Sequence, residues 1–144
     1  MPEELKHDGP YADLTREVIR AAISVQKALG PGLLESAYEA CLAHELSLAG
    51  HQVERQVPLG LTYRGLEVPQ AFRMDLVVDG KVLIELKVVD VFAPEHEAQV
   101  LSYLRFSGLT VGLLVNFKSI PLTKSGLRRF VMSGDNSFSS ASSA

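Results

Sequence analysis

Residues 109–116, LTVGLLVN, make a nearly continuous apolar run. A strand with one face in water alternates polar and apolar residues, whereas a run without alternation marks a strand covered on both faces. A chain built around such a strand needs helices on either side of its sheet. The flanking sequence supplies them. Residues 11–29 place Leu14, Val18, Ala21, Val25 and Ala28/Leu29 at helical spacing, and Gly30-Pro31-Gly32 stops that helix. A second helix covers 33–49 and ends at Gly50. A third runs over 94–107, with Pro94 in its first turn and Gly108 as its C-cap. Between the second and third helices, residues 52–58, 61–64, about 70–78 and 81–89 read as strands. Residues 126–132, GLRRFVM, are too short to decide between strand and helix. The order ααβββαβ predicts an α/β or α+β fold with a sheet flanked by helices.

A chain of 144 residues suits one domain with a real core. The expected boundaries are a flexible N-terminus (1–10), a domain over 11–132, and a disordered tail (133–144) with 6 serines in 12 residues. No apolar run approaches the roughly 20 residues of a membrane span, and MPEELKHDGP is too acidic and polar for a signal peptide. The single cysteine, Cys41, excludes an internal disulfide and a Cys-based zinc site and reads as a small core residue. A reducing, cytoplasmic compartment is expected. The net charge of −3 argues against an obviously basic nucleic-acid binder. Its distribution is uneven: residues 1–54 hold 4 Lys/Arg against 9 Asp/Glu, and residues 55–134 hold 10 against 7. The second part is therefore +3 and can face phosphate.

The chemistry concentrates in RMDLVVDGKVLIELKVV (73–89), two apolar runs around the turn signal Asp79-Gly80. Strict alternation puts Arg73, Asp75 and Val77 on one face, and Phe72, Met74, Leu76 and Val78 on the other. On the partner strand Lys81, Leu83, Glu85 and Lys87 share a face. A two-residue loop would pair Asp75 with Ile84 and set Asp75 and Glu85 on opposite faces. A three-residue loop, such as a type I turn closed by a glycine bulge at Gly80, restores them to one face. Converging there, Asp75 and Glu85 offer hard oxygen ligands for Mg²⁺ or Mn²⁺, with the Leu86 backbone carbonyl able to complete the set. Lys87 would sit beside them, able to orient or deprotonate an attacking water and to offset charge on a phosphate.

The helices add polar groups at unusual positions. On the second helix Glu35 lies within about 20° of the azimuth of Leu42 and Leu46, with Tyr38 on the same side. A first-turn acid is also an ordinary partner of the helix dipole. On the third helix Gln99 and Tyr103 are i,i+4, with His96 and Phe106 on the same side. A zinc reading of His96 with Glu95 and Glu97 lacks a second His at ligand spacing.

Taken together, GLLESAY (32–38), ERQVPL (54–59), the MDLVV…IELK hairpin, HEAQVLSYL (96–104) and GLLVNF (112–117) resemble the GxxExxY protein family, a branch of the PD-(D/E)xK nuclease superfamily. The resemblance covers roughly residues 13–131. It implies a restriction-endonuclease-like αβββαβ core with a mixed central sheet and the active site on the hairpin. Asp75, Glu85 and Lys87 match the D…ExK signature, and Glu35 matches the acid of the first core helix, assisting metal through water. Gln99 and Tyr103 match the Q-x-x-x-Y pattern of RecB-like nucleases. Met74 stands where the superfamily's name has proline, a position that varies among such proteins. The reading that follows is a Mg²⁺- or Mn²⁺-dependent nuclease acting on DNA or RNA, with Arg73, Arg105 and Lys118 as candidate phosphate contacts. Two others stand beside it. One is a catalytically silent module of the same fold that binds nucleic acid or protein. The other, following from a two-residue turn, is a surface ion-pair network. A homodimer through a sheet edge is compatible with each.

Overall fold

The computed structural model describes residues 9–132 and 138–140. Helices α1 (Ala12–Leu29) and α2 (Glu35–Leu48) precede strands β1 (Val53–Tyr63), β2 (Leu66–Val78) and β3 (Val82–Lys87). Helix α3 (Pro94–Ser107) leads to β4 (Val111–Asn116), β5 (Leu127–Met132) and β6 (Phe138–Ser140). The sheet runs β1-β2-β3-β4-β5-β6, antiparallel except for the parallel β3–β4 pair, which α3 connects. The expected α/β arrangement, a mixed sheet flanked by helices, is what forms. Among the described residues no helix is long and apolar enough to cross a membrane. Residues 1–8 of the expected flexible N-terminus lie outside the described residues. So do 133–137 and 141–144 of the Ser-rich tail, while Phe138–Ser140 pair along β5.

The apolar run 109–116 supplies β4, buried at every position. Val111, Leu113 and Val115 join the core under α1 and α2, with Val18, Ile19, Tyr38, Leu42 and Phe117. Leu114 faces a smaller core under α3, with Val100, Tyr103 and Leu104. Cys41 packs at the margin of the larger core, as expected of a small apolar residue. Helix ends follow their punctuation: Gly30 caps α1, and Gly108 (φ 78°) caps α3 by donating its N–H to Leu104 O at 3.1 Å. His96 Nδ1 accepts the Ala93 N–H at 2.9 Å, so this imidazole closes the N-terminus of α3. The undecided segment 126–132 is a strand because β4 offers it an antiparallel edge, with Val111 opposite Val131 and Val115 opposite Leu127.

Two strand expectations need correction. Segments 52–58 and 61–64 form one strand, since the register slips between Leu59 and Leu61 while pairing with β2 resumes beyond Gly60. Strict alternation along β2 also fails. Leu76 and Val78 pack under α1 and α2, yet Met74 and Phe72 pack with Val77 under α3. On β1, Val53 lies on the first side and Val57 and Leu59 on the second. The faces of the ribbon therefore exchange between Arg55/Leu76 and Val57/Met74. The two residues at that point are Gln56, whose φ is +50°, and Asp75. A left-handed residue in a strand breaks its period-2 alternation, and sequence spacing carries no sign of it.

Candidate active site

The β2–β3 turn decides whether Asp75 and Glu85 share a site. Val78 pairs with Val82 and Leu76 with Ile84, so the loop has three residues, Asp79, Gly80 and Lys81. The required register is met by a different turn from the one anticipated. Lys81 N–H donates to Val78 O at 2.9 Å, and both Asp79 (φ 54°) and Gly80 (φ 63°) have positive φ. Two consecutive positive-φ residues are the mark of a type I′ turn, here followed by Lys81 as the extra residue. Asp79 tolerates the left-handed region because its carboxylate is held, accepting the Gln52 N–H at 2.8 Å and meeting His51 Nδ1 at 2.7 Å.

Beyond Leu76/Ile84 side chains take over from the ladder. Asp75 N–H donates to Glu85 Oε2 at 2.7 Å, and Leu86 N–H donates to Asp75 Oδ2 at 2.9 Å. Each carboxyl is thus oriented by the other residue's strand. Glu85 is 3% exposed. Burial, and then the charge of Asp75, push its carboxyl up to about 9. Asp75 is also raised, first by burial; the Leu86 N–H opposes the shift and Glu39 adds to it. At the N-terminus of α2, Glu35 is raised by partial desolvation and then by Asp75, with Lys87 opposing. Glu35 keeps broad solvent contact, which mutes these effects.

From the other side of the sheet, α3 supplies Gln99 and Tyr103, while Lys87 ends β3. Lys87 Nζ donates to Gln99 Oε1 at 3.0 Å. Tyr103 is buried, its ring edge-on to Phe72, and its hydroxyl is raised to about 12 by burial and then by Glu85 and Asp75. Sequence reasoning thus named six side chains that the fold brings to one end of the β2–β3 pair: Glu35, Asp75, Glu85, Lys87, Gln99 and Tyr103. Tyr38, by contrast, is structural. Its hydroxyl donates to Gly30 O at 2.6 Å and its ring stacks on Phe117. Of the candidate phosphate contacts, Lys118 pairs with Asp90 and Arg105 lies over the Phe106 ring. Arg73 borders a surface hollow with Gln70, Phe72 and Tyr103.

A family model described as the PD-(D/E)XK nuclease superfamily matches residues 12–130. The chain belongs to that superfamily. No curated protein and no solved structure matches it. Its mixed sheet with helices on both faces is the restriction-endonuclease-like fold of PD-(D/E)XK proteins, and membership supports a nuclease-type function in general.

PD-(D/E)XK nucleases generally use divalent metals, and the donor set here suits one. Burial raises both carboxyls and the charge of Asp75 raises Glu85 further, so a shared cation would relieve them. One oxygen of each is fixed by a backbone N–H, leaving the second as a donor. Among the described residues no three His, Cys, Asp or Glu side chains form a metal cage by themselves. Further ligands would have to come from backbone or water.

Two residues of this PD-(D/E)XK site escaped the sequence reading. Glu39 is 4% exposed and accepts from Arg55 Nε at 3.2 Å and from Gln56 Nε2 at 2.5 Å. Gln56 Nε2 also approaches Asp75 Oδ1 at 3.4 Å. Glu39 was visible in principle, because it follows Glu35 by four and precedes Leu42 and Leu46 by three and seven, on the apolar stripe itself. Gln56 gave no signal.

Proposed function

We propose that this protein is a metal-dependent nuclease hydrolysing nucleic-acid phosphodiester bonds, with Asp75, Glu85 and the Leu86 carbonyl holding Mg²⁺ or Mn²⁺. The G-x-x-E-x-x-Y run at 32–38 supports a reading within the GxxExxY branch of the superfamily. The observation that carries the reading is the crossed bonding of two carboxyls between β2 and β3, Glu85 accepting the Asp75 N–H and Asp75 accepting the Leu86 N–H, with Lys87 beside them.

When bound, the cation supplies Lewis acidity toward a phosphoryl oxygen and a lowered pKa for water. Asp75 and Glu85, each oriented by a backbone N–H, would hold it, and Glu35 at the α2 terminus would assist through water. Lys87, tethered by Gln99, orients the attacking water and sets a positive charge against the charge that grows on the phosphoryl oxygens. Water oxygen bonds to phosphorus as the bond to the leaving oxygen breaks, giving a phosphate monoester and an alcohol. Tyr103 keeps its proton at neutral pH and so remains a donor to substrate. Arg73, at the edge of the same hollow, is placed to meet a neighbouring phosphate.

The purified protein is expected to cleave DNA or RNA with Mg²⁺ or Mn²⁺. Asp75→Ala and Lys87→Ala should each lose at least about 100-fold, the usual scale for removing a charge-stabilising group. Cleavage that persists in both variants would belong to a contaminant and would end the assignment. One observation favours a second reading, a silent module: one oxygen of each carboxyl already staples β2 to β3. On that reading calorimetry finds no Mn²⁺ affinity that Glu85→Ala removes.

A further inference from the structure

Glu39 is an odd residue to bury. It lies one helical turn beyond Glu35, next to the acids of the site, where its charge pushes both Asp75 and Glu35 upward. An apolar residue on the stripe of α2 would avoid that repulsion and the desolvation of a carboxylate. What Glu39 holds is Gln56. The side-chain amide has two N–H groups and one oxygen, and it can face Asp75 with either end. Accepting an N–H at 2.5 Å, Glu39 Oε1 fixes the end that faces the carboxylates. The other N–H is thereby turned to Asp75 Oδ1 at 3.4 Å. Arg55 bonds Glu39 Oε2 through Nε and a terminal nitrogen, both at 3.2 Å, and neutralises the buried charge. Gln56 meanwhile occupies φ +50°, a conformation that glycine would take without strain.

We propose that Glu39 and Gln56 are positioning residues of this site, a clamp that sets the Asp75 carboxyl for cation binding. The proposal rests on the nuclease reading. Residues outside a metal's ligand set commonly change its affinity by 10- to 100-fold.

Gln56→Gly separates the two roles of the residue, because glycine keeps the positive φ and deletes the amide. The metal-free variant should melt at or above the wild-type temperature. Its Mn²⁺ dissociation constant, measured by calorimetry, should rise about tenfold. The ¹³C resonance of the Asp75 carboxyl in metal-free protein should move. Glu39→Gln should move the same resonance through the altered amide. Wild-type Mn²⁺ affinity in Gln56→Gly overturns the proposal, as does a loss of affinity accompanied by a matching fall in melting temperature. Should the wild-type protein itself bind no Mn²⁺, the nuclease reading falls separately, and the carboxyl resonance judges the clamp: moved, it stands; unmoved, it is overturned.

Discussion

Glu85 is held on the sheet at a cost that its backbone bond to Asp75 does not remove. Its carboxyl is raised from 4.5 to about 9, chiefly by burial and then by Asp75. Stability linked to such a group is complete below pH 4.5 and is lost as the pH climbs toward 9, because the unfolded chain ionises first. Glu85→Gln keeps a carbonyl for the Asp75 N–H and cannot ionise in the unfolded chain. At pH 7.5 without metal it should be more stable than wild type by about 1–3 kcal/mol, because only the wild-type unfolded state gains from ionising this side chain. Mn²⁺ should then raise the wild-type melting temperature and leave the variant unmoved. A variant less stable than wild type in metal-free buffer would show that the pair is structural, with no tension for a cation to relieve. Asp75, Glu85 and Lys87 were legible in the sequence because each breaks an apolar run. Gln56 was not, because its role depends on a backbone angle and on two acids far from it in the chain.

Elements were legible where glycine and proline punctuate them, hence the close agreement at the ends of α1 and α3. They were illegible where a partner decides, as in β5, or where a bulge lets one strand continue past a glycine, as in β1. The contact of α3 with the sheet depends on one residue. A Cβ on Gly112 of β4 would stand 2.8 Å from Val100 Cγ1 and 3.3–3.4 Å from the Leu104 methyls. Valine in a helix has essentially one rotamer, so it cannot swing away. Helix α3 must shift outward instead, carrying Gln99 and Tyr103 with it. Gly112→Ala should cost about 1–3 kcal/mol in urea denaturation, the range for overpacking a core. Its nuclease activity should fall further than that loss of folded protein explains. An unchanged denaturation midpoint would mean that the α3 contact is loose enough to absorb a methyl.

At the scale of the molecule, the site lies where two unequal layers meet. Among the described residues, Glu35 and Glu39 come from the side packed by 19 buried core residues, and Gln99 and Tyr103 from the side packed by 8. The sheet between them must keep the β2–β3 register, and a contact at its far end guards that register. His51 Nδ1 lies 2.7 Å from Asp79 Oδ2 in the turn, and Nε2 lies 3.2 Å from Glu17 Oε1 on α1. The bond to Asp79 raises the pKa of His51, partial burial opposes this, and Glu17 adds to the rise. Because the folded pKa exceeds the unfolded value of 6.5, the imidazolium contributes stability that is whole below pH 6.5. That contribution is lost as the pH rises through the higher folded value. Other groups titrate over the same range, so the quantity to follow is the melting temperature of wild type minus that of His51→Gln. The difference should be positive at pH 6, at most about 3 °C, the scale of an ion pair near the surface. It should shrink steadily to pH 9. A difference that stays constant across that range would mean that His51 holds the turn as a neutral ring, with no charge involved in fixing the register that brings Asp75 and Glu85 together.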